Sequence, residues 1–309
     1  MTSVRCSLSF PSSVRIVEVG PRDGLQNEKT VVPTAERIAL INGLRQAGLR
    51  HVEVGSFVSP KWVPQMADTP QVLAALPPMA DGRYAVLVPN ERGMDAAEAC
   101  PNIGEIAIFA AASESFSHKN INCSIAESLE RFAPVVARAQ ANGWVVRGYV
   151  SCVMGCPYEG DVPVQRVAEV AAALYRMGCY EISLGDTVGV GTPRLAKGMI
   201  EAVAAEVPVT ALAAHFHDTY GQALANLLAV LELGVAVIDS SVAGLGGCPY
   251  AAGAAGNVAT EDVVYMLHGM GIETGLDLTA LAVVGQRISD VIGRPTGSKV
   301  ARAVLARGA

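Results

Sequence analysis

From residue 14 onward the sequence alternates short β-branched and aliphatic runs with longer stretches whose apolar residues recur at helical spacing, and the short runs number eight. They are VRIVEV (14–19), HVEV (51–54), YAVLV (84–88), EIAIF (105–109), WVVRGYV (144–150), YEISL (180–184), TALAAHFH (210–217) and VAVIDSS (235–241). Between them lie segments such as TAERIALINGLRQAG (34–48), SIAESLERFAPVVARAQANG (124–143), VQRVAEVAAALYRMG (164–178), TPRLAKGMIEAVAAE (192–206) and YGQALANLLAVLELG (220–234). Several of these end on Gly, which can stop a helix in the left-handed region without strain. Thr-Pro or Pro-Thr pairs open two of them, where helix N-caps and first turns place those residues. Strict strand and helix alternation predicts a parallel sheet, and eight units predict a closed (β/α)8 barrel, of the TIM type, over residues 1–275. An open doubly wound sheet is the alternative. Beyond about residue 275, DLTALAVVGQRISDVIG predicts an added helix or two, so 276–309 reads as a C-terminal helical extension packed on the barrel.

Composition narrows what such a fold does. The chain has 309 residues, 51% hydrophobic and only 17% charged, with 23 basic against 29 acidic side chains. That excludes disorder and coiled coil. With no basic run, neither nucleic acid nor an anionic membrane is an expected partner, and a small molecule is. The longest uncharged stretch, Ser240 to Thr260, is broken by Pro249 and several glycines, which disqualifies it as a spanning helix. Seven scattered cysteines without a C-x-x-C pair read as reduced thiols, and the amino end lacks a secretory apolar core, so a cytoplasmic location is expected. Gly244-Leu245-Gly246-Gly247 runs into Cys248-Pro249, so it is neither a dinucleotide fingerprint nor a phosphate loop.

The residues that could carry chemistry gather at predicted strand ends. In His215-Phe216-His217-Asp218 the two imidazoles are i and i+2, hence on one face of the seventh strand, at the barrel rim where active sites form. Asp23, in Gly20-Pro21-Arg22-Asp23-Gly24, and Asn257, after the eighth strand, could add a carboxylate and an amide oxygen; each alone reads more readily as a turn or cap residue. Strands one, seven and eight become neighbours when a barrel closes. Glu18, Glu53 and Glu181 lie in apolar strands, where a carboxylate needs a partner or a raised pKa, and Glu181 reads as half of a structural ion pair. Asp186, in the loop after strand six, is expected on the rim. The glycine-dense stretch from Ser240 to Ala251 predicts a mobile lid bearing Cys248, with a small-residue packing loop as the alternative. Cys152 and Cys156 read as inert, His51 and His268 as surface or capping residues, and His118 as a rim-loop residue near a phosphate-bearing ligand.

Longer motifs run through nearly the whole chain: VEVGPRDGLQNEK (17–29), SFVSPKWVPQMAD (56–68), KNINCSIAES (119–128), RGYVSCVMGCPYEG (147–160), GCYEISLGDTVGVGTP (178–193), HFHDTYGQALAN (215–226) and SSVAGLGGCPYAAGAAGNVATEDVVYML (240–267). In these the sequence resembles the hydroxymethylglutaryl-CoA lyase family of metal-dependent Claisen-type barrel enzymes. The GLGGCPYA loop separates it from the related isopropylmalate and homocitrate synthases. The resemblance implies that Asp23, His215, His217 and Asn257 hold a divalent cation, Mg²⁺ or Mn²⁺. It implies that Arg22 stabilises a thioester enolate, that Cys248 is catalytic, and that Glu53 and Asp186 act in the site with Glu261 in support. Lys119 and Asn120 fall where the family meets coenzyme A, with Gln26, Ser56, Tyr149, Ser183 and Thr187 as further substrate positions. The implied reaction is retro-Claisen cleavage of 3-hydroxy-3-methylglutaryl-CoA, in leucine degradation, by a homo-oligomer read as a dimer. The general base stays open between Asp23 and His215. A bulkier 3-hydroxyglutaryl-CoA ester, a condensing synthase and a non-catalytic metal-binding barrel are the other readings.

Overall fold

The structure is a computed structural model that describes residues 10–247 and 256–307. Eight parallel strands close on one another in sequence order: β1 (Arg15–Glu18), β2 (His51–Ser56), β3 (Arg83–Leu87), β4 (Ile103–Ala111), β5 (Val145–Ser151), β6 (Glu181–Asp186), β7 (Leu212–Phe216) and β8 (Val237–Ser240), with β8 pairing back to β1. The expected barrel is therefore present. The seventh strand is shorter than its apolar run because Val209–Ala211, following Pro208, winds into a 3-10 turn. Helix starts follow local chemistry: Ser124 and Glu127 form a reciprocal capping box on the helix Ile125–Ala141, and Asp277 accepts from Ala280 N at the start of Leu278–Ile292.

Strand parity divides the side chains into two populations. Val52, Val54, Ile106, Ile108, Val146, Val150, Ile182, Leu184, Leu212 and Ile238 sit at even positions and join the large apolar cluster between barrel and helices. Odd positions face the interior and are far more polar: Glu53, Glu105, Arg147, Tyr149, Glu181, Ser183, His215 and Asp239 are all buried. Glu18 does not belong to that interior set. At an even position it points outward, accepting from the Gly20 and Val242 amides and the Thr260 hydroxyl.

The helices Leu278–Ile292 and Lys299–Arg307 follow the barrel, and the first packs on the helix Thr34–Gln46 and on the turn Val242–Gly244. Among the described residues no helix is long and apolar enough to cross a membrane.

Candidate active site

The carboxyl-terminal rim is assembled from loops whose conformations the local sequence dictates. After β1 the chain makes a single π-turn, Gly20–Gly24, with Pro21 near its start. A Cβ on Gly20 would stand 2.5 Å from the Glu18 carboxylate, so only glycine allows that turn to close. The turn buries Arg22 and lifts Asp23 toward the rim. Arg22 Nη1 donates to Asp23 Oδ1 at 2.8 Å and Nη2 to Glu53 Oε2 at 2.7 Å, while the guanidinium lies 5.7 Å from the centroid of the Tyr149 ring.

His215 and His217 stand with their rings 5.5 Å apart. One ligand atom from each of Asp23, His215 and His217 falls within 4.8 Å of the others, a spacing that a single divalent cation can span. Asn257 reaches the same place because its backbone bridges that of His217. Its Nδ2 donates to Asp23 Oδ2 at 2.8 Å, so a half-turn of the amide would turn the oxygen toward the cluster. The donor set fits a cation. His215 pairs through Nδ1 with Asp239 Oδ2 at 3.1 Å, leaving Nε2 3.8 Å from Asp23 Oδ2, and His217 Nδ1 is buried without a partner. Two imidazoles, a carboxylate and an amide accept Mg²⁺ but also softer ions such as Mn²⁺ or Zn²⁺.

Electrostatics favour the ligand-ready forms of Asp23 and His217. Burial alone would raise the pKa of Asp23, but Arg22, then His215 and the Asn257 amide, hold it down at about 2. Burial and the neighbouring His215 push His217 down to about 4, so it is a neutral imidazole. For His215 burial acts downward, but the Asp239 carboxylate outweighs it and raises the pKa.

In front of the cluster lies a cavity of about 740 Å³. Arg22, Asp23, Gln26, Tyr149, Thr187, His215 and His217 form its polar floor; Val58, Trp62, Leu87, Phe109 and Phe116 form an apolar wall; Lys119 and Asn120 stand at its edge. Other expected site residues lie outside the lining. Asp186 ends β6 instead of sitting in the following loop, and its carboxylate accepts from the amides of Gly189, Val190 and Gly191. Ser183 donates to Asp239 Oδ2 at 2.7 Å, and the Ser56 hydroxyl accepts from Val58 N. Glu261 accepts from the Ala243 amide with both carboxylate oxygens, fixing a non-glycine residue at φ 58°. His118 is on the helix Glu114–Ile121, not on a loop. Cys248 lies outside the described residues; Gly246 and Gly256 meet closely, since a Cβ on Gly256 would stand 2.4 Å from the Gly246 backbone. Glu181 is in an ion pair, as expected, with Arg15 and Arg147.

Two site residues escape the sequence reading. Asp239 and Arg147 are charged residues at odd positions of apolar strands, the same signal that marks Glu53 and Glu181; Arg147 opens the segment RGYVSCVMGCPYEG and Asp239 stands one residue before SSVAGLGG, yet neither carries a role in that reading.

A closed (β/α)8 barrel with Asp23, His215, His217 and Asn257 converging on its carboxyl-terminal rim defines a class: barrel proteins with a rim site fit to hold a metal ion. Within that class the chain belongs to the HMGL-like family, whose profile matches residues 13–288. It is 62% identical to a Bos taurus protein described as mitochondrial hydroxymethylglutaryl-CoA lyase, over 96% of this chain and 90% of that one. A Pseudomonas aeruginosa protein described as 3-hydroxy-3-isohexenylglutaryl-CoA/hydroxy-methylglutaryl-CoA lyase is 58% identical over 97% of this chain and all of its own. Among solved structures, a lyase described as an HMG-CoA lyase from "Acenitobacter baumannii" in complex with coenzyme A and 3-methylmalate superposes with a TM-score of 0.88, at 35% identity over 96% of both chains.

Proposed function

We propose that this protein is a lyase that cleaves (S)-3-hydroxy-3-methylglutaryl-CoA to acetyl-CoA and acetoacetate by a retro-Claisen reaction, as a step of leucine degradation. The observation that carries the reading is the convergence of Arg22, Asp23, His215 and His217 on one cavity, with Asn257 hydrogen-bonded to Asp23 beside them, in a chain of this family. We take Asp23, His215, His217 and Asn257 as the ligands of a divalent cation, Mg²⁺ or Mn²⁺. When bound, such an ion supplies Lewis acidity that acidifies a tertiary hydroxyl and orients its carbonyl neighbour.

The chain's own groups do the rest. Asp23 takes the proton of the C3 hydroxyl, since His215, with Nδ1 on Asp239 and Nε2 turned to the cation site, has no lone pair left to act as the base. As that oxygen becomes a ketone, the C2–C3 bond breaks and its electron pair moves onto the thioester, forming an enolate. Arg22, fixed by Glu53 and the Tyr149 face, presents its guanidinium where that negative charge develops, and a preorganised donor in a dry site needs no reorganisation. Cys248 gives the enolate carbon its proton, yielding acetyl-CoA. Lys119 and Asn120 receive the coenzyme A portion, while Gln26, Tyr149 and Thr187 line the acyl portion. Glu53, Asp186 and Glu261 act by holding Arg22, the 189–191 turn and the 243 turn. We place the catalytic barrel at 1–275 and the helical extension at 276–309, in a cytoplasmic dimer whose described cysteines form no disulfide.

The apolar wall of Val58, Trp62, Leu87, Phe109 and Phe116 also favours a second substrate with a larger C3 substituent, the isohexenyl ester in the relative's description. Purified protein with Mg²⁺ and either ester tests both readings. Acetoacetate from the methyl ester, lost on chelation and restored by Mg²⁺ or Mn²⁺, is the expected result. No acetoacetate overturns the reaction, and full activity after exhaustive chelation overturns the metal.

A further inference from the structure

β7 and β8 pair so that His215 stands directly opposite Asp239. The Asp239 side chain is fully enclosed and held by four donor contacts. Arg147 grips both of its oxygens, Nη2 to Oδ1 at 2.6 Å and Nη1 to Oδ2 at 2.9 Å, and the Ser183 hydroxyl donates to Oδ2 at 2.7 Å. The fourth contact is His215 Nδ1, 3.1 Å from the same Oδ2. Arg147 is itself immobilised, with Nε on Glu181 Oε1 at 2.7 Å and its guanidinium 5.1 Å from the Tyr149 ring centroid. A carboxylate caught in a two-pronged arginine fork cannot rotate, so the direction in which it accepts is set before any ligand arrives. His217 has no counterpart: its Nδ1 is buried and unpartnered.

We infer that Asp239 is the positioning residue of this site: fixed by Arg147 and Ser183, it holds His215 in the tautomer that is protonated on Nδ1 and presents the Nε2 lone pair to the cation. The inference rests on the reading of His215 as a metal ligand. A neutral imidazole carries one ring proton, and an acceptor aimed at one nitrogen decides which nitrogen is left to bind. An asparagine at 239 would remove that certainty, because its amide can donate to Nδ1 as readily as accept from it.

The test uses the full chain, Mn²⁺ alone as the probe, and two readouts: calorimetric Mn²⁺ affinity, and the ring ¹⁵N shifts of His215 in the metal-free protein. In the wild type, at a pH high enough for the ring to be neutral, His215 is expected as the Nδ1–H tautomer. Asp239→Asn is expected to weaken Mn²⁺ binding about 10- to 100-fold, to shift His215 toward Nε2–H, and to recover most of its turnover when Mn²⁺ is raised to saturation. Ser183→Ala removes one support of Oδ2 and is expected to keep the tautomer with a smaller loss of affinity, so it carries the test if Asp239→Asn does not fold. Wild-type Mn²⁺ affinity in folded Asp239→Asn, or an Nε2–H His215 in the unmodified protein, overturns the inference while leaving the metal site standing. A wild-type protein that binds no Mn²⁺ overturns the ligand assignment and the inference together.

Discussion

At the amino-terminal end of the barrel interior, Glu181 is gripped by Arg15 and Arg147, and Glu105 accepts from the Tyr180 hydroxyl at 2.8 Å. At the carboxyl-terminal rim, Arg22 meets Glu53 and Asp23, and His215 meets Asp239. Both ends are buried and charged, but they differ in what is left over. Among the described residues eight buried side-chain atoms lack a hydrogen-bond partner, and four of them, on Arg22, Gln26, Glu53 and His217, are at the rim. At the other end His51 Nδ1 is the exception, and burial keeps that imidazole neutral by lowering its pKa to about 4. A buried unsatisfied polar group costs about 1–3 kcal/mol, so a cluster of them marks where the fold withholds its own partners for a ligand. The lower end spends its charges on itself and holds the barrel together.

That contrast can be broken or sharpened. The largest effect is expected from His217→Ala, which should abolish Mn²⁺ binding and turnover. The unfolding midpoint of the metal-free protein should stay within a few degrees, because the Nδ1 of this ring gives up no hydrogen bond. Calorimetric binding and thermal unfolding measure both; a large drop in midpoint with binding intact would move His217 to the structural half.

Glu181→Ala should do the reverse. It leaves Arg15 without its carboxylate and Arg147 with Asp239 alone, so stability should fall by roughly 3 kcal/mol in denaturant unfolding. kcat/KM per folded molecule should remain within a few fold. A collapse of turnover in folded Glu181→Ala would show that the two ends work as one unit through Arg147.

The smallest effect concerns the acids on the outer side of the rim. Burial pushes Glu18 up to about 7 and Glu261 up to about 8. Raised carboxyl pKa values mean that the folded state keeps protons the unfolded chain has released, so their contribution is full below the ordinary carboxyl value of 4.5 and is lost as pH rises from there through 7 to 8. The slope from one such group is at most about 1.4 kcal/mol per pH unit. Glu261→Gln cannot ionise, and its stability should therefore fall less steeply than wild type as pH rises from about 5 to 8. Parallel slopes for the two proteins in denaturant unfolding would contradict the assignment.

Much of this architecture is legible in residue order. The eight strands are readable because a β-branched run declares itself within a few residues, and the boundary errors arise where a neighbour interferes, as with the 3-10 turn Val209–Ala211 ahead of β7. His215 and His217 are legible as a pair because i and i+2 share a face in any strand. Glu18 misleads for the same local reason. Nothing in VRIVEV states which parity faces inward, and only the closed sheet turns Glu18 toward Val242 and Thr260 while Glu53 faces Arg22. Asp186 likewise looks like a rim acid until the turn that follows it aims three amides at its carboxylate.

The sequence by itself determined the period of the elements, the parallel barrel they close into, and the two short motifs that carry Arg22, Asp23, His215 and His217, because each is a property of residues within one or two turns of chain. Tertiary structure alone decided that Asp239 meets Arg147 across 92 positions and Asn257 meets Asp23 across 234. Such pairings depend on which strands become neighbours and on which face of each strand looks inward. Burial then sets their strength, since a carboxylate removed from water is worth little until the barrel supplies its cation.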